Sequence, residues 1–172
     1  YTPAGDIKEI HDSIAGASFY FTYDKLHRLK SETNTSSYDP ISYTYDAVGN
    51  LRSKTVGSRR IDYIYDTWHK HAVKTIKLNG FDHQYEYDDN GNMTVKTIGT
   101  DTITYSYNQE NRLIGVDDTP NNKSISYTYD DDGVRNSSTV DGVLTKFIVD
   151  KNRPYAQVIE ERDGSDNLLV SY

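Results

Sequence analysis

One short phrase recurs along this chain at a fixed interval, and that interval limits the fold more than any other property of the sequence. Its fullest spelling is Tyr43-Thr44-Tyr45-Asp46-Ala47-Val48-Gly49-Asn50-Leu51. Phe21-Thr22-Tyr23-Asp24, Tyr63-Ile64-Tyr65-Asp66, Tyr85-Glu86-Tyr87-Asp88, Tyr105-Ser106-Tyr107-Asn108 and Tyr127-Thr128-Tyr129-Asp130 repeat it, and Phe147-Ile148-Val149-Asp150 is a worn seventh copy. The Asp or Asn falls at 24, 46, 66, 88, 108, 130 and 150, so successive spacings are 22, 20, 22, 20, 22 and 20. The full unit is therefore a 42-residue pair of unlike halves. A period of this kind marks a repeat architecture, in which each unit buries its apolar surface against its neighbours.

Each copy opens on apolar–polar alternation. Ile41, Tyr43 and Tyr45 alternate with Ser42 and Thr44, and Ile103, Tyr105 and Tyr107 alternate with Thr102, Thr104 and Ser106. This is the pattern of a half-buried strand. The Asp then ends the strand, because its carboxylate accepts hydrogen bonds from the N–H groups of a turn. Three residues later stand Gly49, Gly91 and Gly133 in one set of copies and His27, His69 and Asn111 in the other. Gly enters the left-handed region freely, and Asn and His are among the residues that follow it there. The spacing predicts positive φ at all six, in a type I turn closed by a bulge.

A second strand follows, such as Leu51 to Val56 or Met93 to Ile98, and then a second turn at Asn79-Gly80, Gly99 or Asp141-Gly142. Two strands over seven copies predict about 14 strands, more than an open twisted sheet holds without curling. The fold class expected is all-β, with tandem antiparallel hairpins forming a curved, spiralling sheet. Residues 1–18 read as transitional or as part of a preceding repeat, 19–150 as the array, and 151–172 as an end-of-array segment with its own strand, turn and strand. No stretch sustains a helical apolar period.

Composition narrows the function. Apolar residues make up 35% of the chain and tyrosine alone supplies 16 residues, which suits a thin sheet whose inner face is only partly dry. The net charge is −7, with Lys and Arg dispersed among 26 acids, which argues against a nucleic-acid partner. No apolar run is long enough to span a membrane. The first residues lack the regions of a signal peptide and position 1 is not Met, so the chain reads as internal to a longer protein. It has no cysteine, hence no disulfide and no thiol nucleophile.

Several constellations invite chemistry. Asp88-Asp89-Asn90-Gly91-Asn92 and Asp130-Asp131-Asp132-Gly133 resemble part of a calcium loop, but the alternate ligand spacing and the closing Glu are missing, so a turn explains them better. His69 and His71, with His83, are candidate zinc ligands, yet His69 falls in a turn slot that backbone conformation already explains. Arg28, Lys70 and Arg112 recur in one set of copies where Asn50 and Asn92 stand in the other. They would bind an acidic polysaccharide or pair with an Asp of the next hairpin, and pairing is the reading preferred. The tyrosine rows Tyr43/Tyr45, Tyr63/Tyr65, Tyr85/Tyr87, Tyr105/Tyr107 and Tyr127/Tyr129 would stack glycans or pack across strands; cross-strand packing is preferred. No catalytic, metal or cofactor site is read, and the chain is not expected to be an enzyme.

Tyr-x-Tyr-Asp-x-x-Gly-Asn-Leu/Met (Tyr43–Leu51, Tyr85–Met93) and Tyr-Asp-x-x-x-Arg-Leu (Tyr23–Leu29, and Tyr107–Leu113 with Asn for Asp) resemble the YD repeat of RHS proteins. That family includes bacterial RHS elements, the BC components of Tc toxin complexes and, more distantly, animal teneurins. Arg153-Pro154-Tyr155-Ala156-Gln157-Val158-Ile159-Glu160-Glu161 is similar to the segment near the end of the bacterial repeat region. The resemblance implies a hollow β-shell that encloses a C-terminal toxin in the same polypeptide, on a secreted or cell-surface bacterial protein. The Asp-Pro-Gly type motif of the self-cleaving core is missing, and Asp39-Pro40 lacks its context. The repeats are also compatible with a module that recognises carbohydrate or a cell surface.

Overall fold

The computed structural model describes residues 1–172. The protein is all-β: sixteen strands form one sheet whose spatial order is the chain order, with a single 3-10 turn at Thr119–Asn121. The chain divides into two compact units, Tyr1–His83 and Gln84–Tyr172. In the first lie β1 (Glu9–Asp12), β2 (Ala17–Tyr23), β3 (Leu29–Asn34), β4 (Ile41–Tyr45), β5 (Leu51–Val56), β6 (Arg59–Tyr65) and β7 (Val73–Leu78). β8 (Phe81–Tyr87) begins in the first unit and ends in the second. The second continues with β9 (Met93–Ile98), β10 (Asp101–Tyr107), β11 (Leu113–Asp118), β12 (Lys123–Tyr129), β13 (Arg135–Val140), β14 (Val143–Asp150), β15 (Gln157–Asp163) and β16 (Leu168–Ser171). The fourteen strands expected of the seven copies are β2 to β15; β16 is the last strand expected of the end-of-array segment, and β1 lies in the transitional residues 1–18.

Alternation sorts side chains to the two faces as the sequence implies. Across β4 and β5, Ile41 faces Val56, Tyr43 faces Lys54 and Tyr45 faces Leu51, while Thr44 faces Ser53 on the other side. That second face is held by hydroxyl pairs: Thr22–Ser31 at 2.5 Å, Thr44–Ser53 at 2.6 Å and Thr128–Ser137 at 2.6 Å. Cross-strand pairs of these kinds contribute roughly 0.2–1 kcal/mol each. The sheet has little else. Ala17, Asn50 and Ser53 are the only buried residues, and the substantial packing within each unit is between sequential strands.

One irregularity recurs and positions everything that follows. Just before each of these turns the ladder slips by a residue: between Thr22 and Tyr23, Thr44 and Tyr45, Ile64 and Tyr65, Ser106 and Tyr107, and Thr128 and Tyr129. The extra residue on the return strand is Lys30, Arg52, Lys74, Ile114 or Asn136. A bulge bends its strand and sharpens the local twist. The return strand accordingly leaves its other neighbour early: β3 meets β4 only from Ser31–Ser42 to Glu32–Ile41, and β5 meets β6 only from Ser53–Asp62.

Candidate functional site

The site the chain builds repeatedly is the turn after Tyr-x-Tyr, and Asp46 shows how it closes. Its N–H donates to the Asn50 carbonyl at 2.9 Å, and its carbonyl accepts from the Gly49 N–H at 3.2 Å. Oδ1 accepts from the N–H groups of Val48 (3.0 Å) and Asn50 (2.8 Å), while Oδ2 accepts from the Asn50 amide at 3.0 Å. Gly49 has φ 98°, a conformation that costs an L-residue energy. The same loop closes after Asp24 with His27 at φ 59°, after Asp88 with Gly91 at 84°, after Asn108 with Asn111 at 60° and after Asp130 with Gly133 at 80°.

The carboxyls of Asp24, Asp46 and Asp130 lie below their ordinary range. For Asp24 the leading cause is the Arg28 side chain, and for Asp130 it is the Lys151 ammonium. At Asp46 partial desolvation pulls upward, and the N–H groups of Asn50 and Val48 outweigh it.

The turn at Asp66 departs from the expectation. His69 is not among the positive-φ residues. The loop is two residues longer: the Asp66 N–H donates to the Ala72 carbonyl at 2.8 Å, where every five-residue turn bonds four residues on. The anchor survives, with Asp66 Oδ1 accepting from Trp68 N–H (2.8 Å) and His69 N–H (2.9 Å). Seven residues close the loop without a left-handed residue at the fourth place. Lys70 likewise does not hold the slot of Arg28 and Arg112; by its bonding that slot belongs to Ala72.

The second tyrosine of a copy fastens the copy before it. Tyr45 donates its hydroxyl to the Leu29 carbonyl (2.8 Å), Tyr65 to Leu51 (3.0 Å), Tyr129 to Leu113 (2.7 Å) and Tyr23 to Ile7 (2.9 Å). In β3, β5 and β11 the bulge takes the return strand off its next ladder two residues early, and the hydroxyl meets a carbonyl just beyond that ladder's end, where an unmet carbonyl would be costly. The rings sit half-buried, and desolvation raises the hydroxyls of Tyr43, Tyr65, Tyr85 and Tyr107 above their ordinary range. Tyr63 and Tyr105 lie in β6 and β10 facing Ile76 and Val116. Arg135 lies 5.0 Å from the Tyr127 ring and 5.6 Å from Phe147.

The residue that ends each five-residue turn reaches forward to the next copy. Arg28 lies 4.5 Å from the Tyr45 ring and donates to the Asp46 carbonyl at 3.2 Å. Asn50 donates to the Lys70 carbonyl at 2.8 Å and meets His71 Nδ1 at 2.6 Å. Asn92 donates to Asn111 Oδ1 at 2.8 Å, and Arg112 packs over Gly133 and the Tyr129 ring. The ion pairs, however, form inside a turn rather than with the next hairpin's Asp: Arg28 with Asp24 at 2.7 Å and Arg112 with Glu110 at 2.8 Å. Val134 has no polar atom to reach with. There Lys151 of the following copy reaches back to Asp130 (2.5 Å) and Asp132 (2.6 Å), which pushes its ammonium up to about 12.

One further turn of this kind, at Thr2, went unread in the sequence, and another, at Asp163, was expected only as a turn. Thr2 N–H donates to the Asp6 carbonyl (2.7 Å), Gly5 N–H to the Thr2 carbonyl (3.0 Å), and Gly5 has φ 90°. A threonine hydroxyl thus does the work of the Asp, accepting from Asp6 N–H at 3.0 Å. At the other end, Asp163 accepts from Ser165 and Asn167 N–H groups and from the Asn167 amide, with Asp166 at φ 66°. It joins β15 to β16, the opposite strand end from the Tyr-x-Tyr-Asp turns.

The same bonds engage residues considered as metal ligands. The Asp88 and Asp130 carboxylates are engaged by their own loop N–H groups, and His71 by Asn50. No three His, Asp or Glu side chains come together in a way that would hold a metal ion. No helix is long and apolar enough to cross a membrane.

No family model matches the sequence, and no curated protein sequence does either. Solved structures do match. The crystal structure of TcdB2-TccC3-TEV superposes with a TM-score of 0.72 over 91% of this chain, at 18% identity. The chain has the fold of part of TcdB2-TccC3. The Photorhabdus luminescens Tc holotoxin pore gives 0.71 over 92% at 18% identity, and TcdB2-TccC3 without its hypervariable C-terminal region gives 0.64 over 83% at 19%. The chain spans about a tenth of the TcdB2-TccC3 chains, 10%, 10% and 9% of them. The antiparallel hairpin array expected from the YD-repeat wording is thus the fold that TcdB2-TccC3 has.

Proposed function

We propose that this chain is a non-catalytic wall segment of an RHS-type β-shell, which encloses and helps deliver a toxin borne C-terminally on the same polypeptide. The observation that carries the reading is the likeness to TcdB2-TccC3 over nine-tenths of the chain, at a TM-score of 0.72. A sheet of sixteen strands with three buried residues is also suited to a wall rather than to a self-contained domain. One of the matched structures is TcdB2-TccC3 without its hypervariable C-terminal region. On this reading any self-cleavage or toxin activity belongs to chain outside these residues, and the protein is secreted or displayed by a bacterium.

Carbohydrate recognition has no comparable support. Some of the ring faces and hydroxyls a glycan would use are engaged within the sheet, with Arg28 over Tyr45, Arg135 over Tyr127 and four hydroxyls on backbone carbonyls.

Limited proteolysis of the full-length protein, with mass spectrometry of what survives, tests the shell. Enclosure requires that chain downstream of Tyr172 resist cleavage until the repeats are denatured. Immediate digestion of that chain beside intact repeats would refute it.

A further inference from the structure

The third residue of each turn, two places after the Asp or Asn, stands at the tip of its hairpin. In three consecutive copies it is apolar and projects into solvent: Leu26 is 67% exposed, Val48 65% and Trp68 80%. In the next three copies the same place holds Asn90, Glu110 and Asp132. Tips of successive copies are two strands apart, so the apolar three stand in file at intervals of about 10 Å.

Two of the three tips carry an exposed cation. Lys25 and Lys70 are exposed on these tips, whereas the carboxylates of Asp24 and Asp66 are turned inward, 24% and 18% exposed, on their own loop N–H groups and cations. An isolated surface Leu needs no explanation. An apolar residue at one structural place in three copies running, with an exposed lysine in the first and the third of those turns, does.

We propose that the Leu26, Val48 and Trp68 tips dock on an anionic phospholipid surface. Cations beside the file match anionic headgroups, and a Trp at the tip suits the interface between headgroup and acyl chain. Single projecting side chains spaced by about two strands leave gaps that lipid fills without a shaped cavity. The acidic tips Glu110 and Asp132 of a second copy would meet the lysines but leave all three apolar side chains uncovered. This interaction goes beyond the shell reading and does not depend on it.

Trp68 is the one tryptophan of the chain, so its fluorescence reports on this tip alone. Vesicles of phosphatidylcholine, with or without phosphatidylserine, are the probe. The expected result is co-sedimentation with the phosphatidylserine vesicles only, with a blue-shifted Trp68 emission that brominated acyl chains quench. Lys25→Gln with Lys70→Gln should weaken binding about thirty-fold, from two headgroup charges. Leu26→Ser with Val48→Ser should weaken it at least about ten-fold, and both positions are exposed enough for the variants to fold. Glu110→Gln with Asp132→Asn should leave it unweakened. Absence of binding to phosphatidylserine vesicles overturns the proposal, as does binding without a Trp68 shift. A blue shift that appears with rising protein concentration and no lipid also overturns it, since the tips would then join copies of this chain.

Discussion

The turns at Asp46 and Asp66 start alike and finish differently. Both seat an Asp carboxylate on the N–H groups of the loop that follows, and each joins a bulged pair of strands, β4 with β5 and β6 with β7. The first closes in five residues through a left-handed Gly49; the second takes two residues more and has no such residue at His69. The difference teaches that the anchoring side-chain oxygen, a carboxylate in these two, an amide at Asn108 and a hydroxyl at Thr2, is the element such turns share, and the glycine is not. A short loop demands a backbone conformation that few residues reach, and two further residues remove the demand.

Acid should break both kinds of turn together, and this is the largest effect expected. The carboxyls of Asp24, Asp46, Asp66, Asp130, Asp150 and Asp163 all lie below the ordinary value of 3.8. A carboxyl lowered in the folded state lends stability that is complete above its unfolded value and drains as pH falls through the folded one. The array should therefore hold at neutral pH and lose its β circular dichroism as pH falls below 3.8. Unfolding centred well above that value would assign the loss to other groups.

Substitution at the closing residue separates the two turns. Gly49→Ala should cost about 1–2 kcal/mol in urea denaturation, because a β-carbon is strained at positive φ. His69→Ala should cost clearly less, since its backbone is already ordinary; equal costs would mean the long loop is as constrained as the short one.

The tyrosine fastener gives a third, smaller effect. Tyr45→Phe or Tyr129→Phe should each lose about 1 kcal/mol, the worth of one hydroxyl bond to a carbonyl. Val149 stands where the worn copy lacks its second tyrosine, three residues past the Ser137–Lys146 pair that starts that ladder. Val149→Tyr should gain a similar amount, and a loss there would show that the fastener needs more than its position. The smallest effect belongs to Lys151→Gln, a slight fall in melting temperature that salt erases in the parent, as befits an exposed ion pair.

Much of this was legible in the sequence because strands announce themselves by alternation and these turns by an Asp followed by Gly, Asn or His. The long loop was not, for a particular reason. Spacings of 22 place two extra residues somewhere in the unit but do not say at which strand end. From Asp24 to Asp46 and from Asn108 to Asp130 they lie at the far end, in residues 35–40 and at Thr119–Asn121. From Asp66 to Asp88 they lie in the turn itself. Thr2 was missed because a hydroxyl does the carboxylate's work, and the tyrosine fastener because it joins residues 14 or 16 apart that no local pattern links.

The fastener also sets an order of events. A copy's return strand is finished by a hydroxyl that the ribosome delivers only with the following copy. Each repeat therefore emerges incomplete and is sealed one repeat later, so the nascent sheet grows with a single loose hairpin at its leading end.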